Sequence, residues 1–184
     1  MARTVIVGDG PAGLSAALLL AKNGHDALVY GQDATLMHHA ELHNYLGAPG
    51  VVGSRFQQSA RRQASDAGAR LVDAEVTAVE VADGGGFTVR TADDSVDADD
   101  VILAGGRAAA RLAAALGAAE RDGAVSTDGD AATSVERLYA AGHLVRPERS
   151  QAIISAGDGA KAALDILSRE AGRDVHDWDT PSEQ

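Results

Sequence analysis

The fold is decided near the start of the chain, where residues 5–14 read Val-Ile-Val-Gly-Asp-Gly-Pro-Ala-Gly-Leu. An apolar run leads into a G-x-G-x-x-G turn, after which apolar residues recur at helical spacing. Gly8 permits a tight turn, Gly10 lets a pyrophosphate approach the backbone, and Gly13 allows the helix to pack closely on the strand. The pattern predicts a strand–turn–helix unit that binds a dinucleotide. The alternative is a tight turn of the same shape that holds no ligand.

The rest of the chain adds the elements of an α/β fold. Apolar runs and helical spacing predict strands at 27–30, 101–106 and 138–142 and helices at 54–67, 108–119 and 155–169, with Arg61 and Arg62 facing solvent. Alternating apolar and polar residues around a glycine turn at 83–86 predict an antiparallel meander with strands at 71–72, 75–81 and 87–91. The segment 33–50 is longer than a simple connection between two elements requires, and it is a candidate functional loop. We expect one domain over 1–172 and a polar tail over 173–184, which contains Trp178 and Pro181.

Composition and charge exclude several classes of function. The 184 residues carry 27 Asp and Glu against 16 Lys and Arg, a net charge of -11 that disfavours nucleic acids and anionic membranes as partners. The chain has no cysteine, which excludes disulfides, thiolate metal sites and dithiol redox centres. No apolar run reaches the roughly 18 residues of a membrane span, and no signal peptide is apparent. We expect a soluble, cytoplasmic protein. Its many Asp and only two lysines indicate a salt-adapted (halophilic) protein, or else an ordinary acidic protein from a GC-rich bacterium.

Five segments, in order, resemble the flavin domain of the thioredoxin reductase family. They are the FAD pyrophosphate loop at 5–17, the Asn-aromatic-Pro-Gly segment at 44–47 with Leu46 in place of proline, the strand at 101–106, the second FAD signature at 133–142, and the flavin-facing segment at 150–157. The resemblance implies a Rossmann-like, three-layer ββα sandwich with helices on one face of a parallel sheet and the antiparallel three-stranded meander on the other. It also implies a homodimer formed through this domain.

The resemblance implies FAD as the cofactor and a set of contacts to it. The cofactor-binding residues expected from it are Gly8, Gly10, Pro11, Ala12, Gly13, Tyr30, Gly31, Gln32, Asn44, Val76, Ala104, Gly105, Gly142, His143, Gln151, Ala152 and Ile153. A helix beginning near Ala156-Gly157 is expected to point its positive end at the flavin C2 carbonyl.

The chain departs from the family at several of these places. Only residues 107–122 stand where the family inserts its nicotinamide domain and cysteine pair, so the family's dithiol mechanism is excluded. His143 replaces an Asp that binds the ribityl chain, although a neutral imidazole can still accept one hydrogen bond. Gly105 replaces a threonine, and Tyr30 stands where a ribose-binding acid is expected, with Asp33 as a possible substitute. A domain that has lost flavin, or that binds another adenine nucleotide, remains an alternative.

Histidines are the candidate proton donors. His38, His39 and His43 lie with Glu41 in the long loop, which is predicted to be a polar lid rather than a metal site because no metal-motif spacing is present. One of them, or His143, could donate a proton beside flavin N1 or N5, since imidazole titrates near neutrality.

The predicted function is a small FAD-dependent oxidoreductase or electron carrier. Its electrons are expected from a diffusible donor, a redox protein, or NAD(P)H bound directly over the ring. The alternative is a non-enzymatic FAD-binding module, such as a sensor or a partner subunit, which would bind FAD without sustained turnover.

Overall fold

A five-stranded parallel sheet forms the centre of the computed structural model, which describes residues Ala2–Asp179. Its strands lie side by side in the order Leu138–Ala140 (β12), Asp100–Leu103 (β9), Arg3–Val7 (β1), Asp26–Gly31 (β2) and Arg70–Asp73 (β5). The central strand β1 is buried on both faces, as parallel strands usually are. Val5 and Val7 face one apolar cluster, while Ile6 faces another. The predicted parallel sheet is therefore confirmed.

Helices cover one face of this sheet. They are Pro11–Lys22 (α1), Gly53–Asp66 (α2) and Ala152–Ala171 (α4), and apolar side chains such as Leu20 and Ile166 pack there against Ile6. The fourth helix, Arg107–Ala115 (α3), lies on the opposite side, because its Ala109 and Leu112 belong to the cluster of Val5 and Val7. The expectation that all helices share one face is therefore wrong for α3. That helix also ends before the predicted residue 119.

The second face carries the antiparallel meander, whose strands differ from those predicted. They are Ala78–Val81 (β6), Phe87–Arg90 (β7) and Ser95–Ala98 (β8). The predicted strand at 71–72 belongs instead to β5, which pairs with β2 in the parallel sheet. The third meander strand escaped notice because it reads Ser-Val-Asp-Ala, with a single strongly apolar residue.

The shorter elements complete the chain. The loop 33–50 contains a 3-10 helix, Leu36–His39, and its Glu41–Leu42 (β3) pairs with Val51–Val52 (β4). A hairpin of Glu120–Arg121 (β10) and Ala124–Val125 (β11) follows α3. Within Ala2–Asp179, no helix combines the length and apolar character needed to cross a bilayer.

The predicted tail lies along the helical face as far as the structure describes it. Val175 packs against the helix-side cluster, and Lys22 Nζ lies 3.0 Å from an Asp177 carboxylate oxygen. Trp178 is 85% exposed and does not pack on the domain. Residues 180–184, including Pro181, lie outside the described residues.

Candidate functional site

A cavity of about 310 Å³ opens at the carboxyl ends of the parallel strands. Its walls come from the glycine turn after β1, the end of β2, the segment after β5, the end of β9 and the segment after β12. Open α/β sheets bind ligands at this edge, and the volume lies within the range of small-molecule sites. The cavity is therefore the candidate functional site.

The three glycines of the turn serve different purposes. A Cβ on Gly13 would lie 1.9 Å from the Gly8 carbonyl oxygen, so Gly13 is required by the packing of α1 on the turn. Gly8 has a φ of +111°, and its Cβ would lie 2.8 Å from the backbone of Ala104. Gly10 is different, because its φ is ordinary and its Cβ would approach only Thr35 Oγ1, at 3.5 Å. No protein atom therefore fills the space that a Gly10 side chain would occupy, and this space is open to a ligand.

Two helices begin at the cavity wall. Pro11 and Ala12 of α1 line the wall, as do Ala152 and Ser155 of α4, and neither helix has a side-chain cap. The first N–H groups of a helix have no intrahelical acceptor, and the dipole places partial positive charge there. The cavity wall therefore contains two helix N-termini that are suited to an anion.

The start of α4 differs from the expected Ala156-Gly157. The helix begins at Ala152, after Gln151 in extended conformation, so Ala152 lies at the positive end. The glycines lie inside the helix because close packing requires one of them: a Cβ on Gly159 would lie 1.9 Å from the Ala12 carbonyl oxygen. This contact joins α4 to the first turn of α1.

Most of the predicted cofactor-binding residues line this cavity. Those on its wall are Gly8, Gly10, Pro11, Ala12, Tyr30, Gly31, Gln32, Val76, Ala104, Gly105, Gly142, His143 and Ala152. Gly13 lies beneath the turn, and Ile153 lines a separate groove with Arg149 and Lys161. Asn44 and Gln151 are off the wall but form a pair, in which Asn44 Nδ2 donates to Gln151 Oε1 over 2.6 Å.

One end of the cavity carries His143. It follows Gly142, which has a φ of +72° and where an added Cβ would lie 3.1 Å from Ala12 Cβ and 3.3 Å from Ser155 Oγ. His143 Nδ1 lies 3.0 Å from Ser150 Oγ, and both residues line the wall. The imidazole is thus held by Nδ1, which leaves Nε2 as the nitrogen available to a ligand.

The other end contains Tyr30 and a carboxylate that the sequence analysis missed. Burial, with the charge of Asp94 adding to it, raises the pKa of Tyr30, so the phenol keeps its proton at neutral pH and above. Asp33 is not on the wall, because its carboxylate faces His38, 3.1 Å from Nε2. The acidic side chain on the wall beside Val76 is Glu75. No spacing rule marks Glu75, which follows an edge strand.

The loop histidines do not meet at one point. His38 contacts Asp33, His43 Nε2 lies 3.6 Å from Glu41 Oε2, and none of the three loop histidines lines the cavity. Among residues 2–179, no group of three His, Asp or Glu side chains is arranged to hold a metal ion.

A buried ion pair supports the turn from behind. Arg61 contacts the carboxylate of Asp9, the residue between Gly8 and Gly10. The prediction that Arg61 faces solvent is therefore wrong, because a buried carboxylate requires a charged partner. Arg62 is exposed as predicted. The sequence analysis also missed Thr35 and Met37, which line the cavity from the long loop.

Comparison with known proteins supports a relationship to thioredoxin reductases. No family model matches the chain. It is 33% identical over 116 residues to NADPH-dependent thioredoxin reductase 3 of Arabidopsis thaliana, covering 59% of this chain and 22% of that protein. It is 35% identical over 82 residues to the thioredoxin reductase of Streptomyces coelicolor, covering 42% and 26%. The chain thus spans about a quarter of the length of these curated relatives.

Solved structures agree on the fold. The atypical thioredoxin reductase TRi from Desulfovibrio vulgaris superposes with a TM-score of 0.83 at 19% identity, covering 94% of this chain and 99% of that one. A thioredoxin reductase from Gloeobacter violaceus superposes with a TM-score of 0.84 at 18% identity, covering 97% and 98%. In sequence and in fold, this chain resembles the thioredoxin reductases, and its 184 residues contain no cysteine.

Proposed function

We propose that this chain binds FAD in the cavity and serves as a flavin-dependent oxidoreductase or electron carrier without dithiol activity. The observation that carries the proposal is Gly10, where the absent Cβ opens the backbone to a ligand beside the first turn of α1. An anionic diphosphate is the group that such a turn accepts. The absence of cysteine means that electrons cannot pass through a cysteine pair of this chain.

The residues on the wall suit the parts of FAD. The N–H groups of Gly10, Ala12 and Gly13 would hold the diphosphate, and Tyr30, Gln32, Val76 and Glu75 would surround the adenosine. His143, Ala152 and the Asn44–Gln151 pair would lie along the ribityl chain and ring. When bound, FAD supplies the transfer of hydride or single electrons, while the protein sets its position and potential. The partial positive charge at the N-terminus of α4 would stabilise negative charge on a bound group that lies against Ala152.

The source of electrons and the assembly are part of the same proposal. A diffusible donor, a redox protein, or NAD(P)H bound over an exposed ring would supply the electrons. We propose a salt-adapted cytoplasmic homodimer with one FAD domain over 1–172, and neither nucleic acid nor membrane as partner. The non-enzymatic FAD-binding module is the second candidate. It is favoured by the short segment 107–125, which consists of α3 and the β10–β11 hairpin and stands where the resemblance expects a nicotinamide domain.

Reconstitution with FAD tests the proposal directly. The protein is purified at high salt, incubated with FAD and desalted, and its visible absorbance is recorded. We expect a flavin spectrum with about one FAD per chain, and mass spectrometry of the released cofactor should identify FAD. A colourless protein that takes up no added FAD at high or low salt would contradict the proposal. Sustained reduction and reoxidation with NAD(P)H or a redox protein would then separate the enzyme from the module.

Replacing His143 tests its role as the proton donor. We expect His143→Phe to retain FAD. Its bound flavin should be reduced about 100-fold more slowly at neutral pH, because one acid–base group contributes about that factor to a reaction rate. The dependence of the reduction rate on pH should differ between the wild type and the variant, because a proton donor acts only while it carries its proton. The measurement is stopped-flow reduction across pH. His39→Phe, in the loop and off the wall, is the control. An unaltered pH profile would eliminate His143 as the donor.

A further inference from the structure

We infer that Gln57 and Arg61, on the helix behind the cavity, are positioning residues that hold the Gly10 N–H toward the diphosphate. This inference rests on the proposed function. The two residues are four apart on α2 and therefore share one face. Both reach Asp9, and neither lines the cavity.

The peptide between Asp9 and Gly10 is held from the side of α2. Gln57 Nε2 donates a hydrogen bond of 2.7 Å to the Asp9 carbonyl oxygen. The chain has no cis peptide bond in its described part, and in a trans peptide the C=O and the N–H point in opposite directions. A carbonyl held toward α2 therefore directs the Gly10 N–H away from α2, where an anion on the cavity wall can accept from it.

The glutamine at position 57 carries an unpartnered buried atom. Gln57 is fully buried, and its Oε1 has no hydrogen-bond partner among the described residues. A buried acceptor without a partner is destabilising, and an unbranched apolar side chain would fill the same space without that penalty. The amide is therefore best explained by the one bond that its Nε2 makes to Asp9.

Asp9 places a negative charge at the cavity. The residue is 5% exposed and lies between the two glycines nearest to the expected diphosphate, which its carboxylate would repel. Arg61 contacts this carboxylate, and the Asp33 N–H donates to Asp9 Oδ2 over 3.0 Å. Gly31 makes room for it, because a Cβ there would lie 2.3 Å from Asp9 Cγ. Arg61 thus neutralises a negative charge at an anion site and fixes the turn.

The test compares two pairs of neighbouring residues on α2. Gln57→Met removes the donor while keeping an unbranched side chain, and Gln58→Met, at an exposed neighbour, is the control. We expect Gln57→Met to weaken FAD and ADP binding about tenfold, as for the loss of one hydrogen bond to a charged group. The melting temperature of the apoprotein should change little, because the variant loses the hydrogen bond to the Asp9 carbonyl but also removes the unpartnered Oε1. Adenosine, which lacks the diphosphate, should bind both proteins equally.

Arg61 is tested through the charge that it neutralises. Arg61→Met should weaken FAD binding more than Gln57→Met does, and adding Asp9→Asn should restore much of the loss. Arg62→Met is the exposed control. Affinities are measured by flavin fluorescence and, for ADP and adenosine, by calorimetry.

The outcomes separate this inference from the proposed function. If the wild-type protein binds neither FAD nor ADP, the proposed function fails and the inference fails with it. If the wild-type protein binds FAD and Gln57→Met binds it equally well, only the inference is overturned. A lower apoprotein melting temperature with equal losses for FAD and adenosine would reveal a merely structural role and would also overturn it.

Discussion

Gly159→Ala should destabilise the protein by about 3 kcal/mol, the upper part of the range for overpacking, whereas Gly157→Ala should not destabilise it at all. A Cβ on Gly159 would lie 1.9 Å from the carbonyl oxygen of Ala12, and a backbone atom cannot rotate away as a side chain can. The helix α4 would have to move away from the first turn of α1, which lines the cavity. The same variant should therefore also weaken FAD binding.

Gly157 provides the matched control on the same helix. A Cβ there would meet nothing within 4 Å, and alanine is favoured over glycine inside helices by about 1 kcal/mol. We expect Gly157→Ala to be neutral or slightly stabilising. Urea unfolding of both apoproteins, followed by circular dichroism, gives the comparison. Equal midpoints for Gly159→Ala and the wild type would show that the helix contact is looser than described.

Gly10→Val should abolish FAD binding without unfolding the protein. Gly10 has a φ of -76° and a ψ of -173°, extended values that valine adopts readily, and its Cβ would meet only Thr35 Oγ1 at 3.5 Å. The added methyl groups would occupy the space in which a diphosphate approaches the backbone. We expect at least a 100-fold loss of affinity, or about 2.7 kcal/mol, with a smaller loss for Gly10→Ala.

Two further glycine variants serve as comparisons for Gly10→Val. Gly84→Val, in the meander turn with nothing within 4 Å of its Cβ, should bind FAD normally. Gly8→Ala should fail to fold well, because φ is +111° and the Cβ would lie 2.8 Å from Ala104. Fluorescence titration with FAD and melting curves of the apoproteins check the series. Full FAD affinity in Gly10→Val would place the diphosphate elsewhere.

The sequence predicted those parts of the site whose shape is set by the backbone. The glycine turn and the ends of the strands with continuous apolar runs lie on the cavity, and both were predicted from local patterns. The segment at Gly142 also lies there, as the resemblance implies. Prediction from the sequence was poorer where tertiary contacts determine the position of an element. The start of α4 was misplaced because the glycines at 157 and 159 resemble a helix start, whereas Gly159 serves the contact with Ala12.

Long-range polar contacts could not be predicted from local patterns. Arg61 and Gln57 both contact Asp9, which lies about fifty positions away in the sequence. No spacing rule predicts a contact over that distance. The meander was misassigned at Leu71 for a related reason: β5 pairs with β2, which only the folded sheet reveals. Glu75 and Thr35 reach the wall because of where their loops lie, not because of neighbouring residues.

The contact between Ala12 and Gly159 also has a consequence for how the protein folds. It joins segments separated by nearly the whole described chain, and the cavity requires both of them. Such contacts form late and slow the folding of a domain, because a long loop must close first. No N-terminal fragment that ends before α4 contains a complete site. A ligand of the cavity therefore binds only after the two ends of the domain have met, and it selectively stabilises the fully folded chain.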